Sequence, residues 1–135
     1  MLFRSLEDVH AEAKILLKIP SHPGIPLLIG IHTTSSPFVL ATKLCKTAGR
    51  PETYSCFLKG SEHSRQKLCL ALQLLLSVAE ALHHIFSVGV LHNDVKGNNI
   101  VLEDAQGVKR GVIIDFGKAC FIANAKGLYG TVHAL

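Results

Sequence analysis

Asp94, Lys96 and Asn99 fall within six positions of one another in "LHNDVKGNNIVLE", residues 91 to 103, and an apolar run begins at once after them. An acid, a base and an amide at fixed offsets ahead of a strand are parts suited to proton or phosphoryl chemistry. A carboxylate can hold a hydroxyl proton, an ammonium can meet a phosphate, and an amide oxygen can bind a hard cation. A second acid, Asp115, closes "GVIIDF" further along. If "NIVLE" and "GVIIDF" pair across the turn-like "DAQGVKR", then Asp94, Asn99 and Asp115 converge at one end of a small ribbon. Two carboxylates and an amide there suit Mg²⁺, which takes few protein ligands and completes its shell with phosphate oxygens.

Plainer readings compete for the same residues. Asp94, Lys96 and Asn99 also fit a solvated turn closed by an Asx-type cap. An EF-hand does not fit, because Lys96 takes a ligand position and Asn99 replaces the obligatory glycine. "GKACF" lacks the glycine spacing and the Ser or Thr of a phosphate-binding loop. His83 and His84 are adjacent on a helical pattern and point in different directions, which suits one metal poorly. His92 reads as a packed structural histidine, and Cys120 as a small buried residue that could face a pocket.

The elements that must position these groups follow from pattern. "SLEDVHAEAKILLKI" reads as a helix capped by Ser5, with Val9, Ala13, Leu16 and Leu17 on one face, and Pro20 ends it. "IPLLIGIHTT" and "PFVLATKLC" read as strands joined by a Ser-Ser-Pro turn, and residues 46 to 60 as turn-rich chain. The longest helical pattern covers 62 to 87, with Leu68, Leu72, Leu75, Ala79, Leu82 and Phe86 as its core stripe. It is apolar over more than one stripe, so burial on several sides is expected.

Composition bounds the class. The 135 residues suffice for one domain or part of one, and 48% hydrophobic content argues against disorder. The fourteen basic residues are scattered, which argues against a nucleic-acid stripe. The four cysteines form no CxxC pair, so free thiols in a reducing compartment are expected, cytoplasmic or nuclear. No signal-peptide core follows Met1, and the greasy stretch 68 to 79 is short of a membrane span.

At this point "HNDVKGNN" followed by "IIDFG" resembles the catalytic loop and metal-binding motif of eukaryotic protein kinases, H-R-D-L-x-x-x-N and D-F-G. Upstream, "HAEAKILLKIPSHPGIPLLIGIH" is similar to that family's αC helix and the strand after it, and "FVLATKLC" to the strand leading into the hinge. The resemblance implies an α+β, protein-kinase-like fold in part. Residues 1 to about 44 would belong to the N-terminal lobe and hinge, and about 45 to 135 to the C-terminal lobe. It implies ATP and Mg²⁺ as cofactors, a protein substrate, and no nucleic acid. Residue by residue, it implies that Asp94 orients the substrate hydroxyl or accepts its proton and that Lys96 touches the transferred phosphate. Asn99 and Asp115 would hold Mg²⁺, and Glu12 would pair with a lysine of an earlier strand. Thr42 would back the nucleotide pocket, Cys45 would meet the adenine edge through its backbone, and Val101 would pack under the ring. Leu16, Leu28, His92 and Phe116 resemble the stack that aligns the lobes. Lys96 favours the serine/threonine-specific pattern.

The pattern also breaks. Asn93 replaces the arginine that pairs with a phosphorylated activation loop, and a neutral amide forms no charge-assisted pair with phosphate. No Gly-rich loop or lysine strand precedes the first helix, and no A-P-E segment follows. The chain is therefore expected to be a fragment or truncated product that is inactive alone, with an uncovered apolar helix face. The alternative expectation is a pseudokinase or regulatory module acting by protein binding.

Overall fold

The computed structural model describes residues 2–3, 5–61 and 64–125. The chain begins with a short strand, β1 (Leu2–Phe3), and a helix, α1 (Leu6–Lys18). Ser5 caps α1: its hydroxyl accepts from the Asp8 amide at 3.1 Å, and Glu7 and Asp8 occupy the electropositive first turn. The buried face is Val9, Glu12, Ala13, Ile15 and Leu16. Leu17, expected inside, is 75% exposed, and an acid, Glu12, points inward instead. The apolar stripe alone did not rank Glu12 above Leu17, because the reason for its burial lies more than a hundred residues away.

Two strands follow, β2 (Leu28–His32) and β3 (Phe38–Thr42), and β3 lies between β1 and β2 in an antiparallel sheet. The Ser-Ser-Pro connection contains a cis Ser36–Pro37 bond. Within the stretch read as turn-rich, six residues form a helix, α2 (Tyr54–Lys59), capped by the Thr53 hydroxyl on the Cys56 amide at 3.2 Å. So short a helix shows no usable period.

The long helix, α3 (Arg65–Ser87), starts from Ser64, whose hydroxyl accepts from the Lys67 amide. The expected start at 62 lies outside the described residues. The helix stops at Gly89, which has φ +80° and donates to the Phe86 carbonyl at 2.9 Å. The expected burial on several sides is not observed. Ala71, Leu74, Val78, Ala81 and Ile85 are buried, whereas Leu68, Leu72, Leu75 and Phe86 of the expected core stripe are exposed, as is Leu76. An all-round apolar helix leaves the choice of face to its neighbours, and here small residues admit close approach. A side chain at Gly111 would sit 2.8 Å from Val78, and one at Gly24 would sit 2.7 Å from Ala81. Among the described residues α3 is the one helix long and apolar enough to cross a membrane by length and composition.

Past the short strand β4 (Val90–Leu91) lies the expected ribbon, β5 (Ile100–Ala105) paired antiparallel with β6 (Val108–Ile113). Gln106 and Gly107, both at positive φ, make its two-residue turn, and the Asp104 carboxylate accepts from the Gly107 amide at 2.9 Å. The ribbon packs on α3 through Ile100, Leu102 and Ile113. A last strand, β7 (Cys120–Phe121), pairs antiparallel with β4 and ties the chain after the ribbon back to the chain before it. The last ten residues of the tail, for which the sequence offered no period, lie outside the described residues.

Candidate active site

The turn between β4 and β5 is held by its own polar groups. Asp94 is buried, with its side chain 4% exposed, and Lys96 Nζ lies 2.8 Å from its Oδ2. Asn99 Nδ2 donates to the Asp94 backbone carbonyl at 3.0 Å and to Oδ2 at 3.1 Å, while the Lys96 carbonyl accepts from the Asn99 amide at 2.8 Å. The plainer Asx-turn reading is thus partly right, since the amide does close the loop. Closing the loop through Nδ2 leaves the Asn99 side-chain oxygen, Oδ1, for another partner. A further cation, Lys118, sits 3.3 Å from Asp94 Oδ1. A buried carboxylate is tolerated where charge and hydrogen bonds compensate it, and two ammonium groups do so here.

His92 connects this turn to the end of β6. Its Nδ1 accepts from the Asp94 amide at 3.3 Å, which leaves the hydrogen on Nε2, 3.2 Å from the Ile114 carbonyl. The neutral Nε2–H tautomer therefore satisfies both neighbours. Burial pushes the imidazole pKa down, against the opposing effects of the Ile114 bond and of Asp115 and Asp94. The ring meets Phe116 edge-on, centroids 4.8 Å apart. Leu16 and Phe116 share one core cluster with Leu28 packed against it, so the four residues of the expected stack do meet.

The Ile114 amide donates to the Asn99 backbone carbonyl at 2.8 Å, which sets Asp115 one residue from the catalytic-loop-like turn. Asp115 adopts φ +65°, a conformation a non-glycine residue holds only when its surroundings require it. Its Oδ1 accepts from the Gly117 amide at 3.3 Å. On the other side, Glu12 Oε1 accepts from the Phe116 amide at 3.1 Å, while its Oε2 is buried with no hydrogen-bond partner among the described residues. Burial raises the Glu12 pKa; the Phe116 bond opposes this, and the charge of Asp115 adds to it.

Between these groups and β3 opens a cavity of about 290 Å³ lined by Glu12, Leu16, Leu40, Thr42, Cys45, Val101, Asp115 and Phe116, among others. Sequence reasoning named Thr42, Cys45 and Val101 for a nucleotide pocket, and the fold brings all three to this one cavity with Glu12 and Asp115. Cys45, Val101 and Val112 form a small buried cluster beside it, and burial raises the Cys45 thiol pKa. Cys120 is not among the lining residues. The cavity's edge is braced by Glu103, which pairs with Lys43 at 3.0 Å and with Arg110 at 3.6 Å.

The donor set fits a hard divalent cation. Asn99 and Asp115 offer oxygen ligands from adjoining backbone, and Mg²⁺ is commonly held by one or two protein groups together with phosphates. Among the described residues no cluster of three His, Cys, Asp or Glu side chains forms a self-sufficient metal site, so nucleotide phosphates would have to complete the shell. Sequence reasoning missed Lys118, although its place directly after "DFG" was visible. It also missed the anchoring role of Asn93, whose amide donates to the Lys118 carbonyl and to Cys120 Sγ, both at 3.2 Å.

The family described as protein kinase domain matches residues 3–133. The chain belongs to the protein kinase family. It is 31% identical over 124 residues to the serine/threonine-protein kinase PEPKR2 of Arabidopsis thaliana, covering 92% of this chain and 24% of that protein. It is 28% identical over 125 residues to myosin-IIIa of Homo sapiens, covering 89% of this chain and 7% of that protein. It is 25% identical over 126 residues to calcium-dependent protein kinase 11 of Arabidopsis thaliana, covering 93% and 24%. The chain spans less than a quarter of the length of these relatives.

Proposed function

We propose that these residues form the catalytic centre of a protein serine/threonine kinase, which transfers the γ-phosphoryl group of ATP to a protein hydroxyl. The observation that carries this reading is the set of short links among Asp94, Lys96 and Asn99, joined through the Asn99–Ile114 backbone bond to Asp115, which lines the cavity. In this reading residues up to about 44 belong to the N-terminal lobe and those from about 45 to the C-terminal lobe. Thr42, Cys45 and Val101 hold the adenine end of ATP, with Val101 under the ring. Asp94 orients the acceptor hydroxyl and takes its proton as the oxygen attacks phosphorus. Lys96, released from Asp94 Oδ2, meets the oxygens of the phosphoryl group in transfer. Asn99 and Asp115 would hold Mg²⁺, which would supply positive charge to the phosphate oxygens. Glu12 holds the amide of Phe116 and so fixes the segment that carries Asp115. Catalysis is then mainly positioning and electrostatics.

The test is transfer of labelled γ-phosphate to a protein substrate by the polypeptide carrying the complete domain, with Asp94→Asn and Asp115→Asn compared. Each is expected to lower kcat by about 10²-fold or more. Undiminished transfer in both would overturn the reading. The uncovered face of α3 (Leu68, Leu72, Leu76) favours a second reading, a binding module whose partner covers that face. A protein that binds nucleotide but shows no Asp94-dependent transfer supports that second reading.

A further inference from the structure

Lys118 has no part in the roles above, yet it holds one oxygen of the residue on which they centre. Its Nζ lies 3.3 Å from Asp94 Oδ1 while Lys96 Nζ lies 2.8 Å from Oδ2, so each carboxylate oxygen carries an ammonium. The settings of the two partners differ sharply. The Asp94 side chain is 4% exposed and that of Lys118 is 65% exposed, so only the ammonium end of Lys118 reaches into the site.

The position of Lys118 is built into the fold. The Ala119 amide donates to the Phe116 carbonyl at 2.9 Å, closing a tight turn around Lys118. Asn93 Nδ2 donates to the Lys118 carbonyl at 3.2 Å, and Cys120 and Phe121 pair with β4 directly afterwards. Asn93 itself is at φ +63°, a region asparagine enters more readily than most side chains.

Two ammonium groups thus stand on the carboxylate that the acceptor hydroxyl must meet. A hydroxyl that reaches Oδ1 displaces Lys118, and the displaced ammonium then stands in solvent beside the acceptor residue. We infer that Lys118 is a specificity-determining residue, selecting acceptor hydroxyls that have an anionic side chain, carboxylate or phosphate, as their neighbour. Such a group takes over the ammonium that leaves Asp94, whereas a neutral neighbour offers it nothing and Lys118 stays on the carboxylate. This inference rests on the phosphoryl-transfer reading for its kinetic form.

The experiment uses the full-length protein and three peptides that differ only in the residue after the acceptor: alanine, aspartate or phosphoserine. Wild type is expected to show kcat/KM about fivefold higher for the aspartate peptide than for the alanine peptide, and higher again for phosphoserine. Lys118→Ala should erase the preference, raising KM for the anionic peptides, and Lys118→Arg should restore it. A merely structural role would depress all three peptides alike. A preference that survives Lys118→Ala overturns the inference and leaves the kinase reading intact. Binding of the same peptides, acceptor hydroxyl retained and ATP omitted, followed by fluorescence anisotropy, separates the two ideas. If no transfer occurs, tighter binding of the anionic peptides that is lost in Lys118→Ala still supports the inference, and equal binding of all three refutes it.

Discussion

Replacing His92 with phenylalanine isolates what one ring does for this site. The ring is buried, and phenylalanine keeps roughly its volume and its contact with Phe116, so the cavity contribution is small. What is lost is the acceptor for the Asp94 amide at 3.3 Å and the donor to the Ile114 carbonyl at 3.2 Å. Both bonds are at the long end of the range, so about 1 kcal/mol each is appropriate, or about 2 kcal/mol for the pair. The loss should itself depend on pH. Burial first of all lowers the His92 pKa from 6.5, so the folded protein resists a proton that the unfolded chain accepts. The unfolded chain binds more protons below that value, and stability rises with pH there. The contribution of neutral His92 is therefore present above pH 6.5 and is lost as pH falls through 6.5 toward the lower folded value. Urea unfolding of wild type and His92→Phe from about pH 8 to about pH 5 measures this. The difference between the two curves should be flat at the alkaline end and shrink on acidification. His22, whose pKa burial also lowers, is common to both proteins and cancels in that difference. Parallel curves over the whole range, or a variant as stable as wild type at neutral pH, would refute the reasoning.

Two further substitutions probe the framework. Gly111→Val places a side chain within 2.8 Å of Val78 and 3.1 Å of the Leu74 carbonyl. The closely packed ribbon and helix cannot absorb it, and a loss of about 2–3 kcal/mol is expected in chemical denaturation. Glu12→Gln removes a carboxyl group whose pKa burial raises from 4.5. The stability tied to that raised value is fully present below 4.5 and is lost as pH rises through the folded pKa. The wild-type curve should therefore fall over that window, and the curve of the Glu12→Gln variant should not. Identical pH profiles for the two proteins would contradict an uncompensated carboxylate.

Much of the site was legible because its signals are local. Asp94, Lys96 and Asn99 are linked across two and five positions, and the Gln106–Gly107 turn fixes the ribbon that carries Asp115 to them. The face of α3 was not legible, because leucines occur all around the helix. The choice was made by Gly111 and Gly24, glycines distant in sequence whose missing side chains let Val78 and Ala81 approach. α2 was too short to show a period. The inward turn of Glu12 was hidden for another reason: its partner, the Phe116 amide, lies 104 positions away. Composition excluded few functions; the joint spacing of two motifs did the discriminating.

The carboxylates of the site sit in opposite electrostatic situations, and that contrast bears on how it works. Asp94 is buried between two ammonium groups. Glu12 is equally buried but has one oxygen without a partner, and the charge of Asp115 bears on it without a cation paired to either among the described residues. A negative pair left uncompensated in a low-dielectric setting is costly, and any cation arriving there recovers part of that cost. The side of the site that holds Glu12 and Asp115 is thus prepared for positive charge, and the surroundings of Asp94 already hold it. Under the kinase reading proposed above, a triphosphate partly neutralised by a divalent ion would fit the first, and an anionic peptide the second. Glu12 and Asp115 line the cavity, whereas Lys96 and Lys118 flank Asp94.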